Sequence, residues 1–247
     1  MQTLRKAHRV HGRAWRVPWT DASLTALLIT QCVITFVAIP IAAVYPAGHL
    51  LMDVGHLTFA ALCAIALTNR RAVRAALLGA LVVFGFGPAG IDSIGARLGL
   101  GPAISHNVIA VVAFGFNLLV TLLVAGRAFG PGQVTAHRVQ GAVLVYLNVA
   151  ALFAIAFNVI ETLAPGSIIA TGGGLMSRRP GALIAELSYF SLATITTSGY
   201  GDFIPLHQLA RSLANLEAVF GQLFPPIFVA RLVALHLVHS RGAKANN

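Results

Sequence analysis

Apolar residues run along this chain in long stretches separated by short gaps of glycine, proline and basic residues. A first stretch covers 23–45, interrupted late by Pro40 and turned by Pro46-Ala47-Gly48. A second covers 49–68 and ends at Asn69-Arg70-Arg71; a third covers 72–88 and closes on Gly85, Gly87 and Pro88. A glycine-rich connection to Pro102 leads into 105–126, which Gly130-Pro131-Gly132 breaks. The fifth runs over 139–163 and the last over 209–239. A helix needs ~20 residues to cross ~30 Å of hydrocarbon, so each stretch predicts a spanning helix. Residues 181–196 are apolar but too short to span, and predict a helix that enters and leaves on one side. Before it, Pro165 to Gly181 is rich in Gly, Ser and Pro and predicts an exposed loop.

Composition agrees with a membrane protein. The chain is 57% hydrophobic and 10% charged, against about 25% charged residues in a soluble domain, and its mean hydropathy is +0.81. The formal charge of +10 raises the question of nucleic acid. The arginines flank apolar stretches, however, and no separate basic domain exists, so lipid is the expected partner and nucleic acid is not. With the amino terminus inside, every one of the 17 lysines and arginines except Arg97, Arg178, Arg179 and Arg211 falls on the inner side. The positive-inside rule thus puts both termini in the cytoplasm of a multi-pass protein of the cell membrane. Acids Asp53, Asp92, Glu161, Glu186 and Asp202 fall toward the outer side, where they would form a negative vestibule that concentrates cations or stand as scattered loop acids. Cys32 and Cys63 lie inside apolar stretches and read as packing residues. The first stretch is too long for a cleaved leader and is expected to stay as an anchor.

Chemistry concentrates between the last two stretches, at Thr196-Thr197-Ser198-Gly199-Tyr200-Gly201-Asp202. A row of backbone carbonyls facing one axis can replace the water around a cation without using full charges. Turning successive carbonyls one way requires alternating backbone handedness, which glycine at every second position permits. Gly199 and Gly201 have that spacing. Thr197, Ser198, Gly199 and Tyr200 would offer carbonyls to the ion, with the Thr197 hydroxyl as a further ligand.

These residues resemble the selectivity filter of the potassium-channel pore superfamily, whose usual filter reads Thr-Val-Gly-Tyr-Gly. Tyr189-Phe190-Ser191-Leu192-Ala193-Thr194-Ile195-Thr196 resembles its pore helix and Phe203-Ile204-Pro205 its exit; Ser198 replaces the customary valine or isoleucine. The resemblance covers about Val139 to His239. It implies an all-α membrane protein of six transmembrane helices, with a re-entrant pore helix and filter loop between the fifth and sixth. Residues 1–22 would be a basic cytoplasmic segment, 23–130 a four-helix region, 131–240 the pore domain and 241–247 a cytoplasmic tail. The ion-conducting filter would be Thr197 to Gly201, with K+ held at Thr197, Ser198, Gly199 and Tyr200. Thr196, Asp202, Tyr189 and Glu217 would support it, the Tyr189 hydroxyl bonding Asp202. Glu217-Ala218 and Gly221-Gln222 resemble the last helix of bacterial pore proteins, where Gly221 is placed as a hinge. Pro225 and Pro226 remove the helical donors to the carbonyls of Gly221 and Gln222, so hinge and kink coincide.

One filter per chain implies a homotetramer. The function expected is passive, potassium-selective conduction. The alternatives are a non-selective cation channel, or a carrier or interaction subunit that retains a pore-like loop; no internal repeat of a carrier is evident. The fourth stretch carries no arginine before Arg127, so voltage sensing is not expected. His56 lies one turn from Asp53 and is expected to pack as a pair with it, and His207 is expected to be a loop histidine. No nucleophile triad, phosphate loop or metal-ligand cluster stands out, so neither an enzyme nor a resident cofactor is expected; potassium is the permeant ligand.

Overall fold

The computed structural model describes residues 20–45, 48–67, 71–79, 102–130, 135–177 and 179–245. Most of the basic lead, the third stretch beyond residue 79, and Arg70, Asp92, Arg97 and Arg178 lie outside the described residues.

The first stretch folds as α1 (Thr20–Val33), a π-helical turn (Ile34–Ala38) and α2 (Ile39–Val44). The predicted interruption at Pro40 is thus not a break. Proline has no amide to donate, and the wide turn immediately before it lets the helix continue through the proline. α3 (Gly48–Ala66) follows, then a helical segment over 71–79 (α4), α5 (Pro102–Ala128) and α6 (Ala136–Leu163). The short apolar helix is α7 (Pro180–Ile195), and the last is α8 (Gln208–Ala245), which passes unbroken through Pro225 and Pro226. Among the described residues four helical segments are long and apolar enough to cross a membrane: Ser23–Val44, Ile109–Ala128, Ala136–Leu163 and Gln208–Arg231. The apolar part of α3, Leu50–Ala66, is shorter.

The loop expected between α6 and α7 is more ordered than its composition suggests. It holds β1 (Ile168–Ala170) and β2 (Gly174–Leu175), and β1 also pairs with β3 (Phe203–Pro205) beyond the filter segment. The sheet order is β2-β1-β3, antiparallel throughout, with Ile169 opposite both Leu175 and Ile204. Glycine-rich composition hid the strands because each is only two or three residues long.

Two apolar clusters hold the chain together. One gathers Leu27 and Ile34, Cys63, Leu77, Val120 and Val124 with Leu144 of α6. The other joins Phe157 of α6, Ile168 and Met176 of the loop, Leu187 and Phe190 of α7, and Ala210 and Ala214 of α8. α6 belongs to both, so it carries the first helices and the filter segment on one rod. Arg127 donates to the carbonyls of Ala66 and Leu67 at 2.8 and 2.6 Å, and Arg74 donates to that of Ala64 at 3.1 Å. Two arginines therefore cap the carboxyl end of α3. Both cysteines are free thiols.

Candidate functional site

The site begins where α7 stops. A helix leaves its last four carbonyls without internal partners, and here each finds one. Leu192 accepts from the Thr196 amide at 3.1 Å and from the Thr196 hydroxyl at 2.7 Å. Ala193 accepts from the amides of Ser198 and Gly199 at 2.9 and 3.2 Å, and Thr194 from that of Thr197 at 2.9 Å. Ile195 accepts from the Tyr146 hydroxyl of α6 at 2.8 Å. The amides of 196–199 thus fold back onto the helix that precedes them.

Their carbonyls are left over. Among the described residues no hydrogen bond ends on the carbonyl of Thr197, Ser198, Gly199 or Tyr200. The backbone alternates handedness through this run: φ is 56° at Thr197, 51° at Gly199 and 78° at Gly201, while Ser198 and Tyr200 stay at negative φ. Such alternation presents successive carbonyls on one side. Left-handed φ costs glycine nothing, but a β-branched residue such as Thr197 adopts it at a cost of about 1–3 kcal/mol. The surrounding bonds must hold it there.

The side chains of this segment make a few contacts within the chain although every residue from Thr196 to Asp202 is exposed. The Ser198 hydroxyl lies 2.9 Å from that of Thr196. Because Thr196 gives its proton to Leu192, Ser198 is the donor in that pair. Tyr189 stacks on Tyr200, ring centres 5.9 Å apart, and meets Phe203 edge-on at 6.1 Å. The expected bond from the Tyr189 hydroxyl to Asp202 is not among the hydrogen bonds of the described residues; Asp202 Oδ1 accepts from the Phe203 amide at 3.2 Å. Thr197 Oγ1 lies 3.5 Å from Oε1 of Gln222 on α8.

α8 approaches the same spot from behind. Gly221 is packed so closely that an added Cβ would sit 1.7 Å from the Ile195 carbonyl oxygen. One turn earlier Glu217 is fully buried, with Oε1 2.5 Å from Ser191 Oγ of α7. The Ser191 hydroxyl also reaches the Ala150 carbonyl of α6 at 2.7 Å. A serine has one proton and a carbonyl can only accept, so both contacts are hydrogen bonds when Ser191 donates to Ala150 and Glu217 supplies a proton to Ser191. Glu217 Oε2 has no partner among the described residues. That suits a neutral carboxyl better than a buried charge.

Below this level Tyr146 packs on Phe224 at 5.7 Å, and Phe224 and Phe228 meet Phe129 edge-on at 6.1 and 5.8 Å. Arg231 sits over the Phe129 ring and donates to its carbonyl. Sequence reasoning named Glu217, Gly221 and Tyr189 but missed Tyr146, Ser191 and Arg231. A tyrosine inside an apolar helix was the available signal, since its hydroxyl needs a partner. Two of the acids expected on the outer side are occupied in holding loops. Glu161 accepts from the amides of Gly166 and Ile168 at 2.7 and 3.0 Å, and Glu186 from that of Ser177 at 2.7 Å.

A comparison with known protein families falls on this half of the chain. Residues 167–236 match the protein family described as Ion channel. The inward rectifier potassium channel Kirbac3.1 of Paramagnetospirillum magnetotacticum is 34% identical over 97 residues, which is 39% of this chain and 27% of that protein. The chain therefore aligns with little more than a quarter of that relative's length. The family match covers residues 196–202, α7 and most of α8, and together with this relative it supports the resemblance to the potassium-channel pore-loop superfamily.

Proposed function

We propose that this protein is a potassium-selective channel, in which four copies place the carbonyls of Thr197, Ser198, Gly199 and Tyr200 around a common axis. The observation that carries the reading is the pairing of alternating handedness over 197–201 with four carbonyls left free by their neighbours. A dehydrated cation needs such a ring of oxygens. α7 aims its carboxyl end at the same place, and the negative end of a helix dipole favours a cation there. In this reading α7 is re-entrant, six helices cross, both termini face the cytoplasm, and Gly221 with Pro225 and Pro226 lets α8 bend to gate. The exposure of the whole segment from Thr196 to Asp202 in a single chain, with Tyr200 72% exposed, supports a neighbouring subunit as its cover.

Ser198 favours a second reading, a cation channel with weak discrimination. Its hydroxyl ties the filter wall to Thr196, where the family's valine packs as an apolar side chain. Planar-bilayer recording of the purified protein under mixed potassium and sodium separates the two. A reversal potential that follows the potassium gradient is the expected result. One that follows the sum of both ions favours the second reading, and no current at all removes both.

A further inference from the structure

The hairpin between α6 and α7 is tied down at its root, along β1 and on its far side. Its root is held by Glu161, and the Ser167 carbonyl accepts from the amides of Leu206 and His207 at 2.8 and 3.2 Å. Its far side is held to α7, where Glu186 accepts from the Ser177 amide. β1 is zipped to β3 from Ile168 opposite Pro205 to Ala170 opposite Phe203. The next residue, Thr171, continues that ladder onto the filter. Its amide donates to the Asp202 carbonyl at 2.7 Å, and its hydroxyl donates to the Gly201 carbonyl. Gly172 and Gly173, at φ of 106° and 86°, then turn the chain sharply back. The carbonyls of 197–200 are free, and those of 201 and 202 are both taken by one residue.

We propose that Thr171 is a positioning residue for the outer end of the filter. It ends the row of ion-facing carbonyls at Tyr200 and resists rotation of the peptide between Gly201 and Asp202. The inference rests on the channel reading above. Carbonyl dipoles crowded around an axis repel one another, and a resident cation offsets that repulsion. When outside potassium is scarce the outermost site empties, and the neighbouring peptide can relieve the repulsion by turning. Turning the 201–202 peptide requires breaking the hydroxyl bond of Thr171, and its backbone bond opposes displacement of the next carbonyl. The hairpin is thus a bracket built from the same chain, outside the pore helix and independent of the Tyr189–Tyr200 stack.

The test compares wild type, Thr171→Val and Thr171→Ser in planar bilayers while external potassium is stepped from high to low. Valine keeps the shape and the amide bond but loses the hydroxyl; serine keeps the hydroxyl. The valine channel should lose current about five-fold faster at low potassium, as expected for one net hydrogen bond. At high potassium it should match wild type, and serine should behave as wild type throughout. A merely structural role would lower stability at every potassium concentration and leave the potassium dependence of the decline unchanged. Should the valine chain fail to assemble, Thr171→Ala carries the same expectation. The proposal is overturned if wild type conducts and the variants lacking the hydroxyl decline at its rate, or if serine declines as fast as valine. A wild-type protein that passes no ion sinks the channel reading and this inference together, so the two failures are told apart by the wild-type record.

Discussion

Glu217 shows how much one side chain depends on its neighbours' protons. It is fully buried, and its contact with Ser191 is shared with the Ala150 carbonyl. A proton on Glu217 Oε1 gives each of the two contacts its own hydrogen, whereas a carboxylate would leave Ser191 with two acceptors and one hydrogen. Glu217→Gln supplies an amide N–H to the same serine oxygen and should change thermal stability in detergent by less than about 1 kcal/mol. Glu217→Ala removes the donor and opens a hole, and should cost about 2–4 kcal/mol. A glutamine variant as unstable as the alanine variant would show that the charge is needed. The identity of this residue was legible in the sequence, as was its place near the filter. Its partner was not, because Ser191 is 26 residues away and helical phase alone does not say which faces of α7 and α8 meet.

At the scale of elements, the decisive contact is the crossing of α8 over the end of α7. Gly221 reads in sequence as a hinge, but the structure gives it a second reason to be glycine. Any side chain there would collide with the Ile195 carbonyl, which Tyr146 also holds. Gly221→Ala must therefore separate the helices or displace the carbonyl end of α7 that leads into residues 196–202. Overpacking of this kind costs about 1–3 kcal/mol or more. The expected outcome is a lower unfolding temperature, with loss of any current that survives assembly. A variant with wild-type stability would contradict the close approach. Helix positions were largely legible: the expected 139–163 is Ala136–Leu163, and the expected 181–196 is Pro180–Ile195. The continuous course through Pro40 and the pairing of β1 with β3 were not. The first depends on a local widening of the helix, and the second joins segments more than 30 residues apart.

At the scale of the molecule, the described chain is open where residues 196–202 lie. Leu209, Leu216, Leu223 and Ile227 of α8 are each more than half exposed, and so is Tyr200. Lipid can cover the helix, but a flat aromatic beside a row of free carbonyls calls for protein. Chemical crosslinking in native-like membranes should stop at four copies. In the assembled tetramer Tyr200→Cys should label more slowly than Leu209→Cys if Tyr200 is a subunit contact. A monomer in the bilayer would remove the proposed axis and the conduction that depends on it.

The sequence by itself determined where the apolar segments run and which residues form the filter signature. Both are local properties, one of hydropathy over a helix length and the other of backbone freedom at alternating glycines. It did not determine which groups keep that signature in shape. Tyr146 on the helix-end carbonyl, Ser191 between Glu217 and Ala150, Gly221 against Ile195 and Thr171 on the carbonyls of Gly201 and Asp202 each join segments distant in the chain. Only folding decides such pairs, because a carbonyl left without an amide accepts whatever donor the packing of helices brings to it.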